Sequence, residues 1–292
     1  MNQHPRHLLE LTLATFFIST SGALGKFIAM PPPVTIWWRC LIAMIILYAF
    51  CKYQKINLRL NSKKDRLPFL ISSLLLGAHW ITYFYALKFS NVAIGMLSLF
   101  AFPVITALLE PLFGKEKFKP IHILLGCLIL LGIYILAPEF SLENSHVKGI
   151  LFGLLSAVCY SIRILLLKQQ VNTYNGTMLM FYQLLILTIM LVPVLYFMDA
   201  SGIQSQFPFV ILLAVVTTAL GHTMFVKSLN HFSASTATII SSTQPIFGII
   251  IAYFFLNEMP TWSTFWGGLL ILSTVVIESI KSKKEIKKGE NV

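Results

Sequence analysis

The chain has 292 residues, of which 57% are hydrophobic and only 11% charged, with a net charge of +11. A soluble domain carries about 25% charged residues, so this composition excludes a water-soluble globule and points to burial in lipid. The basic residues lie in loops and at the C-terminus without interleaved aromatics, which excludes a nucleic-acid surface and leaves an orientation signal.

Spanning the hydrocarbon takes about 20 apolar residues per helix. Continuous apolar runs, rather than alternation, favour helices over a barrel. Ten spans are expected, at 8–29, 33–51, 67–87, 91–113, 121–137, 147–167, 177–197, 207–228, 233–256 and 262–280. The N-terminal segment resembles a signal peptide, but it lacks a small-x-small cleavage site and reads as a retained first span. Breaks fall at Pro31–Pro33, Lys52–Arg66, Gly114–Pro120, Pro138–Lys148, Lys168–Gly176, Asp199–Phe207 and Asn257–Thr261. Cys40, Cys51, Cys127 and Cys159 lie within or at the ends of apolar segments with no CxxC pair, so they read as packing residues.

Loop charge sets the orientation. One side holds Arg6, the six basic residues of Lys52–Arg66, the three of Lys115–Lys119, Lys168, Lys227 and the five after Ile280, which makes seventeen. The other side holds Lys26, Lys88 and Lys148. That bias places both termini in the cytoplasm of a multi-pass protein of the cell membrane.

Two stretches of the chain share their spacing. Pro103 and Pro245 sit mid-span, Glu116 and Glu258 follow at the same interval, and Gly126 and Gly268 follow at the same interval again. Each pair is separated by 142 positions. The offset contains five spans, an odd number, so the second half would enter the membrane upside down. The domains expected are 1–140 and 141–282, two inverted five-helix repeats in an all-α integral membrane fold, with a basic tail at 283–292. Inverted repeats around a midplane site are the architecture of secondary transporters.

The run ALKFSNVAIGMLSLFAFPVITALLEPLFGKEKFKPIHILLGCLILLG and its partner SLNHFSASTATIISSTQPIFGIIIAYFFLNEMPTWSTFWGGLLIL resemble the EamA-type family of the drug/metabolite transporter superfamily. The resemblance covers nearly the whole chain. It implies a substrate pathway lined mainly by spans 1, 3, 4, 6, 8 and 9, with spans 5 and 10 as outer supports. It says little about substrate, since the family carries amino acids, nucleotide precursors, sugar phosphates and drugs. Phe102 stands where the second copy has Gln244, so the two halves differ in chemistry.

Candidate pathway residues follow from lipid's intolerance of polar groups. Pro103 and Pro245 each remove a helix hydrogen bond and leave the carbonyls of Leu99 and Ser241 without their usual donor. They read as packing kinks, as gating hinges, or as both. Ser241, Ser242 and Thr243 can bond back to the preceding turn, whereas Gln244 has four hydrogen-bonding positions to satisfy. Ser98 and the Ser19–Ser21 cluster are weaker candidates of the same kind.

His79 and His222 lie on repeat-paired spans and read either as proton-coupling groups or as neutral, bonded histidines. Tyr83 shares a helix face with His79, and Trp80, Tyr85 and Tyr160 are further stacking candidates. Arg163 reads as a clamp for a substrate anion, or else snorkels or pairs with Glu110. Arg39 reads as close enough to the outer face to snorkel from a peripheral helix, and Lys26, Lys88 and Lys227 as interface anchors. Glu116 and Glu258 read as turn or cap residues.

The expected function is secondary transport of a small amphipathic, amino-acid-like metabolite or drug by alternating access, in the direction of export. An obligate exchanger of organic anions using Arg163 is the alternative. The spans carry no HExxH, no GxSxG and no paired aspartates, so an enzyme is not expected. No cofactor or metal is called for. The expected partners are a small-molecule substrate and the bilayer, with protons a candidate coupling ion and a homodimer a candidate assembly.

Overall fold

The computed structural model describes residues 4–113, 120–136, 141 and 143–289. Helix occupies each of the ten apolar stretches, as α1 (His4–Phe27), α2 (Pro32–Tyr53), α3 (Arg66–Phe89), α4 (Val92–Leu99), α5 (Phe102–Phe113), α6 (Ile121–Leu136), α7 (Ser145–Gln170), α8 (Gly176–Met190), α9 (Val194–Phe197), α10 (Ile203–Leu212), α11 (Thr223–Ser228), α12 (Ala234–Ile240), α13 (Gln244–Leu256) and α14 (Trp262–Gly289). Among the described residues there is no strand, and seven helical stretches are long and apolar enough to cross a membrane. The helices at Ile123–Leu136 and Gly176–Met190 are apolar but shorter. Glu116, most of the Gly114–Pro120 break, residue 140 at the boundary of the halves and the end of the basic tail lie outside the described residues.

Local chemistry explains most helix ends. Pro32 and Pro33 open α2, where a missing N–H costs nothing. Asn91 and Ser233 accept the backbone N–H of Ile94 and Thr236, capping α4 and α12 at 2.8 and 3.1 Å. These two caps are themselves related by the repeat offset. Asn257, in the left-handed region at φ 55°, ends α13. Pro193 lies in the turn that separates α8 from α9, so the seventh apolar stretch is not one continuous helix.

Both mid-span prolines fall at breaks. The chain turns at Phe100–Ala101 between α4 and α5, and a 3₁₀ turn at Ser241–Thr243 separates α12 from α13. Between α10 and α11 the ladder widens to a π-helix over Leu213–His222, a geometry that recurs at functional sites. α3 packs along α7, α1 lies against the π segment and α13, α2 lies against α8 and the π segment, and α14 packs on α6.

Lys26 and Lys88 act differently from expectation. Lys26 does not reach outward; its ammonium donates to the carbonyls of Leu87 (2.8 Å) and Ser90 at the end of α3. Lys88 donates in return to Lys26 (3.1 Å) and Ile28 at the end of α1. Helix ends present carbonyls without intrahelical donors, and a cation there also meets the negative end of the macrodipole. Lys168 repeats the arrangement, donating to Leu229 (2.7 Å) and Phe232 (2.9 Å). Lys26 and Lys168, Leu87 and Leu229, and Ser90 and Phe232 are each related by the repeat offset. Glu258 caps, but on another helix: its carboxylate accepts the first N–H of α4, from Val92, at 2.8 Å.

Large apolar side chains cover the outside, including Leu112, Tyr196, Phe254 and Trp262. In water such a surface would aggregate, whereas in a bilayer it faces lipid.

Candidate functional site

The breaks in the chain surround one small cavity. It is lined by Ile18 and Ser21 of α1, His79, Trp80 and Tyr83 of α3, Leu99 of α4, Phe102 of α5, Tyr160 of α7, His222 at the end of the π segment, and Gln244 at the start of α13. Each of these residues is 5% exposed or less, so the cavity lies among buried side chains. All six stretches named for the pathway contribute to it. Three pairs of lining residues are related by the repeat offset: Ile18 and Tyr160, Trp80 and His222, Phe102 and Gln244. The middle pair touches, with the Trp80 and His222 rings edge to face at 5.1 Å.

His79 is fixed by Ser156 on α7. Its Nδ1 lies 2.7 Å from the Ser156 hydroxyl, and that hydroxyl lies 2.8 Å from the His79 carbonyl. A carbonyl can only accept, so both contacts are hydrogen bonds only when the serine proton goes to the carbonyl and Nδ1–H donates to the serine. In the neutral ring Nε2 is then a lone-pair acceptor on the ring that lines the cavity. The ring stacks on Tyr160 at 4.3 Å, and Tyr83 lies parallel to it at 6.3 Å. Trp80 Nε1 and His222 Nδ1 are buried with no hydrogen-bond partner among the described residues. Thr20 and Thr217 hydroxyls meet at 3.1 Å and tie α1 to the π segment.

Arg163 is fully buried, which replaces the snorkelling expectation. Its Nη2 donates to Gln183 Oε1 of α8 at 2.7 Å, and its guanidinium carbon lies 5.7 Å from the Tyr160 ring centre. Nε and Nη1 have no hydrogen-bond partner among the described residues. Gln183 was not singled out from sequence; only its place facing Arg163 distinguishes it from other polar residues in apolar runs.

Arg39 departs further from expectation. α2 is packed against α3, α8 and the π segment, and Arg39 is completely buried. Its guanidinium stacks 3.9 Å above the Trp80 ring, and its Nε donates to the Thr218 hydroxyl.

Other candidates sit elsewhere. Ser241 and Ser242 bond back to the carbonyls of Ala237 (2.9 Å) and Thr238 (3.0 Å), and Ser98 bonds back to Ile94; none of the three lines the cavity. Of that polar run, Gln244 alone lines the cavity. Tyr85 stacks outward with Phe89 and Phe152. Among the described residues no group of three or more His, Cys, Asp or Glu side chains could hold a metal ion.

In the turn after α7, Tyr174 donates to Asp65 and accepts from the Asn61 N–H at 3.0 Å, docking the Lys52–Arg66 connection. Burial, and then the bond to the Asp65 carboxylate, pushes the Tyr174 phenol upward from its ordinary value.

The profile of the EamA-like transporter family matches residues 7–137 and again 147–279. The chain is similar to the pseudopaline exporter CntI of Pseudomonas aeruginosa, 24% identical over 283 residues that cover 95% of this chain and 96% of that one. It is similar to the threonine/homoserine exporter RhtA of Salmonella typhimurium, 25% identical with 98% and 94% covered. It is 23% identical to the human solute carrier family 35 member G1, with 94% and 79% covered. A solved crystal structure aligns with 96% of this chain and 98% of its own at a TM-score of 0.71 and 16% identity, a likeness of fold alone.

Proposed function

The chain belongs to the EamA-like transporter family, and on that premise we propose that it is a secondary exporter of a small amphipathic, amino-acid-like metabolite or drug. The observation that carries the reading is the cavity, buried among the helices and lined by three residue pairs at the repeat offset. A site on the axis between two inverted halves would be lined in this way. In this reading residues 1–140 and 141–282 are the halves, ten helices cross the cell membrane, and both termini are cytoplasmic.

Substrate binds at the midplane. The breaks at Pro103 and Pro245 act as hinges, and the halves rock to open the cavity to one side and then the other. One member of each pair is more polar than its twin: Tyr160 against Ile18, His222 against Trp80, Gln244 against Phe102. That asymmetry suits a solute with one polar and one apolar side. His79 Nε2 and His222 are the candidate proton carriers for coupling. The family and the names of the exporter relatives support transport rather than catalysis.

A second reading is favoured by the two unpartnered nitrogens of Arg163. Arg163 would clamp an organic anion, and the protein would then be an obligate exchanger.

The test begins with a thermal-shift screen of purified protein against a metabolite library, followed by proteoliposomes loaded with each stabilising compound. Efflux driven by a pH gradient supports the first reading. Movement that needs counter-substrate and ignores the gradient supports the second. Proteoliposomes that move none of the stabilising compounds would sink both.

A further inference from the structure

The cavity is bordered by a cation that the transport reading leaves unused. Arg39 is 0% exposed. Its Nε is occupied by Thr218, whose hydroxyl in turn donates to the Leu213 carbonyl at 3.2 Å, one turn back along the π-helix. Its Nη1 and Nη2 are buried with no hydrogen-bond partner among the described residues. Its face lies on Trp80, 3.9 Å from the ring centre, and Trp80 lines the cavity.

We propose that Arg39 is the carboxylate-recognising group of this site, so that the solutes carried are carboxylates, amino acids among them. The assignment rests on the transporter reading above. Removing a guanidinium from water is costly even after relaxation. Stacking on a desolvated indole and a single bond to Thr218 return only part of that cost. An arginine kept here for packing alone would be costly, since an apolar side chain fills the same space without the penalty.

The way the side chain is held indicates what it holds. With Nε fixed, the nitrogens left over are Nη1 and Nη2, the end-on fork that matches the two oxygens of a carboxylate. The Trp80 ring that carries the guanidinium on its face also lines the cavity. A shift of α3 against the π segment, of the kind alternating access requires, would uncover the fork.

Charge balance points the same way. Among the described residues no carboxylate lines the cavity, and two arginines, Arg39 and Arg163, stand behind its aromatic walls at Trp80 and Tyr160. The substrate therefore supplies the negative charge. Trp80 Nε1, buried without a partner among those residues, is a further donor to an acceptor-rich ligand.

The experiment uses the full chain in proteoliposomes, with three matched probe pairs: L-threonine and its amide, L-phenylalanine and its amide, succinate and succinamide. The wild type should move acids in preference to amides. Arg39→Gln should lower affinity for the acids by about 10- to 100-fold, the equivalent of one or two charged hydrogen bonds, and erase the preference. Arg39→Lys keeps the charge without the fork and should fall between. Thr218→Val, which frees the guanidinium from its anchor, should weaken acids and leave amides unchanged. If Arg39→Gln is not monodisperse on size exclusion, the other two variants carry the test.

A wild type that moves amides as well as acids overturns the assignment and leaves transport standing. So does loss of the preference in Arg163→Gln but not in any Arg39 or Thr218 variant. A wild type that moves neither member of any pair overturns this assignment, and the transport reading falls with it only when none of the compounds from the thermal-shift screen moves either.

Discussion

Replacing Lys168 with methionine should loosen the contact between the end of α7 and the turn after α11. The ammonium makes two hydrogen bonds, at 2.7 and 2.9 Å, to the Leu229 and Phe232 carbonyls. Bonds to a charged donor are worth about 1.5–3 kcal/mol each. The site is only partly buried, so water recovers part of that, and a total of about 2–3 kcal/mol is expected. Methionine keeps the packing of the lysine stem, so the loss measured belongs to the ammonium. At roughly 2–4 °C per kcal/mol for a chain of this size class, the Tm should fall by about 4–12 °C. Thermal unfolding in detergent, followed by tryptophan fluorescence, reads this directly. Lys26→Met should cost as much, because Lys26 makes the corresponding bonds in the first half and its loss also disturbs the return bonds from Lys88. On the proposed topology the two clasps sit at opposite ends of the bundle, so the double variant should be close to additive. Single variants that each stay within about 1 °C of the wild type, against the shift expected from the bond energies, would refute the reasoning that these bonds close the helix ends.

Gly153→Ala should destabilise by about 1–3 kcal/mol, because the new methyl would lie 2.6 Å from Ser98 Cβ and 3.3 Å from the Leu99 nitrogen. Gly126→Ala is the contrast, with no described atom within 4 Å, and should be neutral or gain up to about 1 kcal/mol from helix propensity; the two melting curves decide. His79→Gln should abolish gradient-driven transport while leaving exchange intact, measured with and without a pH gradient across proteoliposomes, and a variant that loses neither activity would remove His79 from proton coupling. His231 stacks on His7 at 3.6 Å, and burial, then His7, hold its imidazole below the ordinary value, with Lys168 acting in the same sense and Glu10 opposing. A depressed folded value means the contact is fully stabilising above about pH 6.5 and weakens as pH falls through the folded value. The drop in Tm on going from above to below that pH should therefore be smaller in His231→Asn than in the wild type.

Backbone chemistry was legible from residues alone. Apolar runs long enough for lipid became helices, and the prolines at 103 and 245 fell at breaks, because a missing N–H and a ring clash act locally whatever surrounds them. The repeat offset was visible in a few prolines, glutamates and glycines. In the structure it extends to helix caps, to the lysine clasps and to three pairs of cavity residues.

The direction of side chains was decided by the tertiary structure. Arg39 sits about two turns into α2, near enough to the helix end to snorkel, yet it turns inward onto Trp80 and Thr218. Lys26 and Lys88 could equally have reached the headgroups, and instead close each other's helix ends. Ser241 and Ser242 looked like pathway residues but spend their hydroxyls on their own helix. The physical reason is common to all of these. A helix apolar on every side has no stripe that marks its inner face, and lipid supplies no hydrophobic force to choose one. Which residues meet at the centre is then settled by packing and by the few polar groups that must find partners. The sequence by itself determined the helices, their breaks and the internal spacing, and only the assembled bundle determined that two arginines, two histidines and one glutamine converge around the same small cavity.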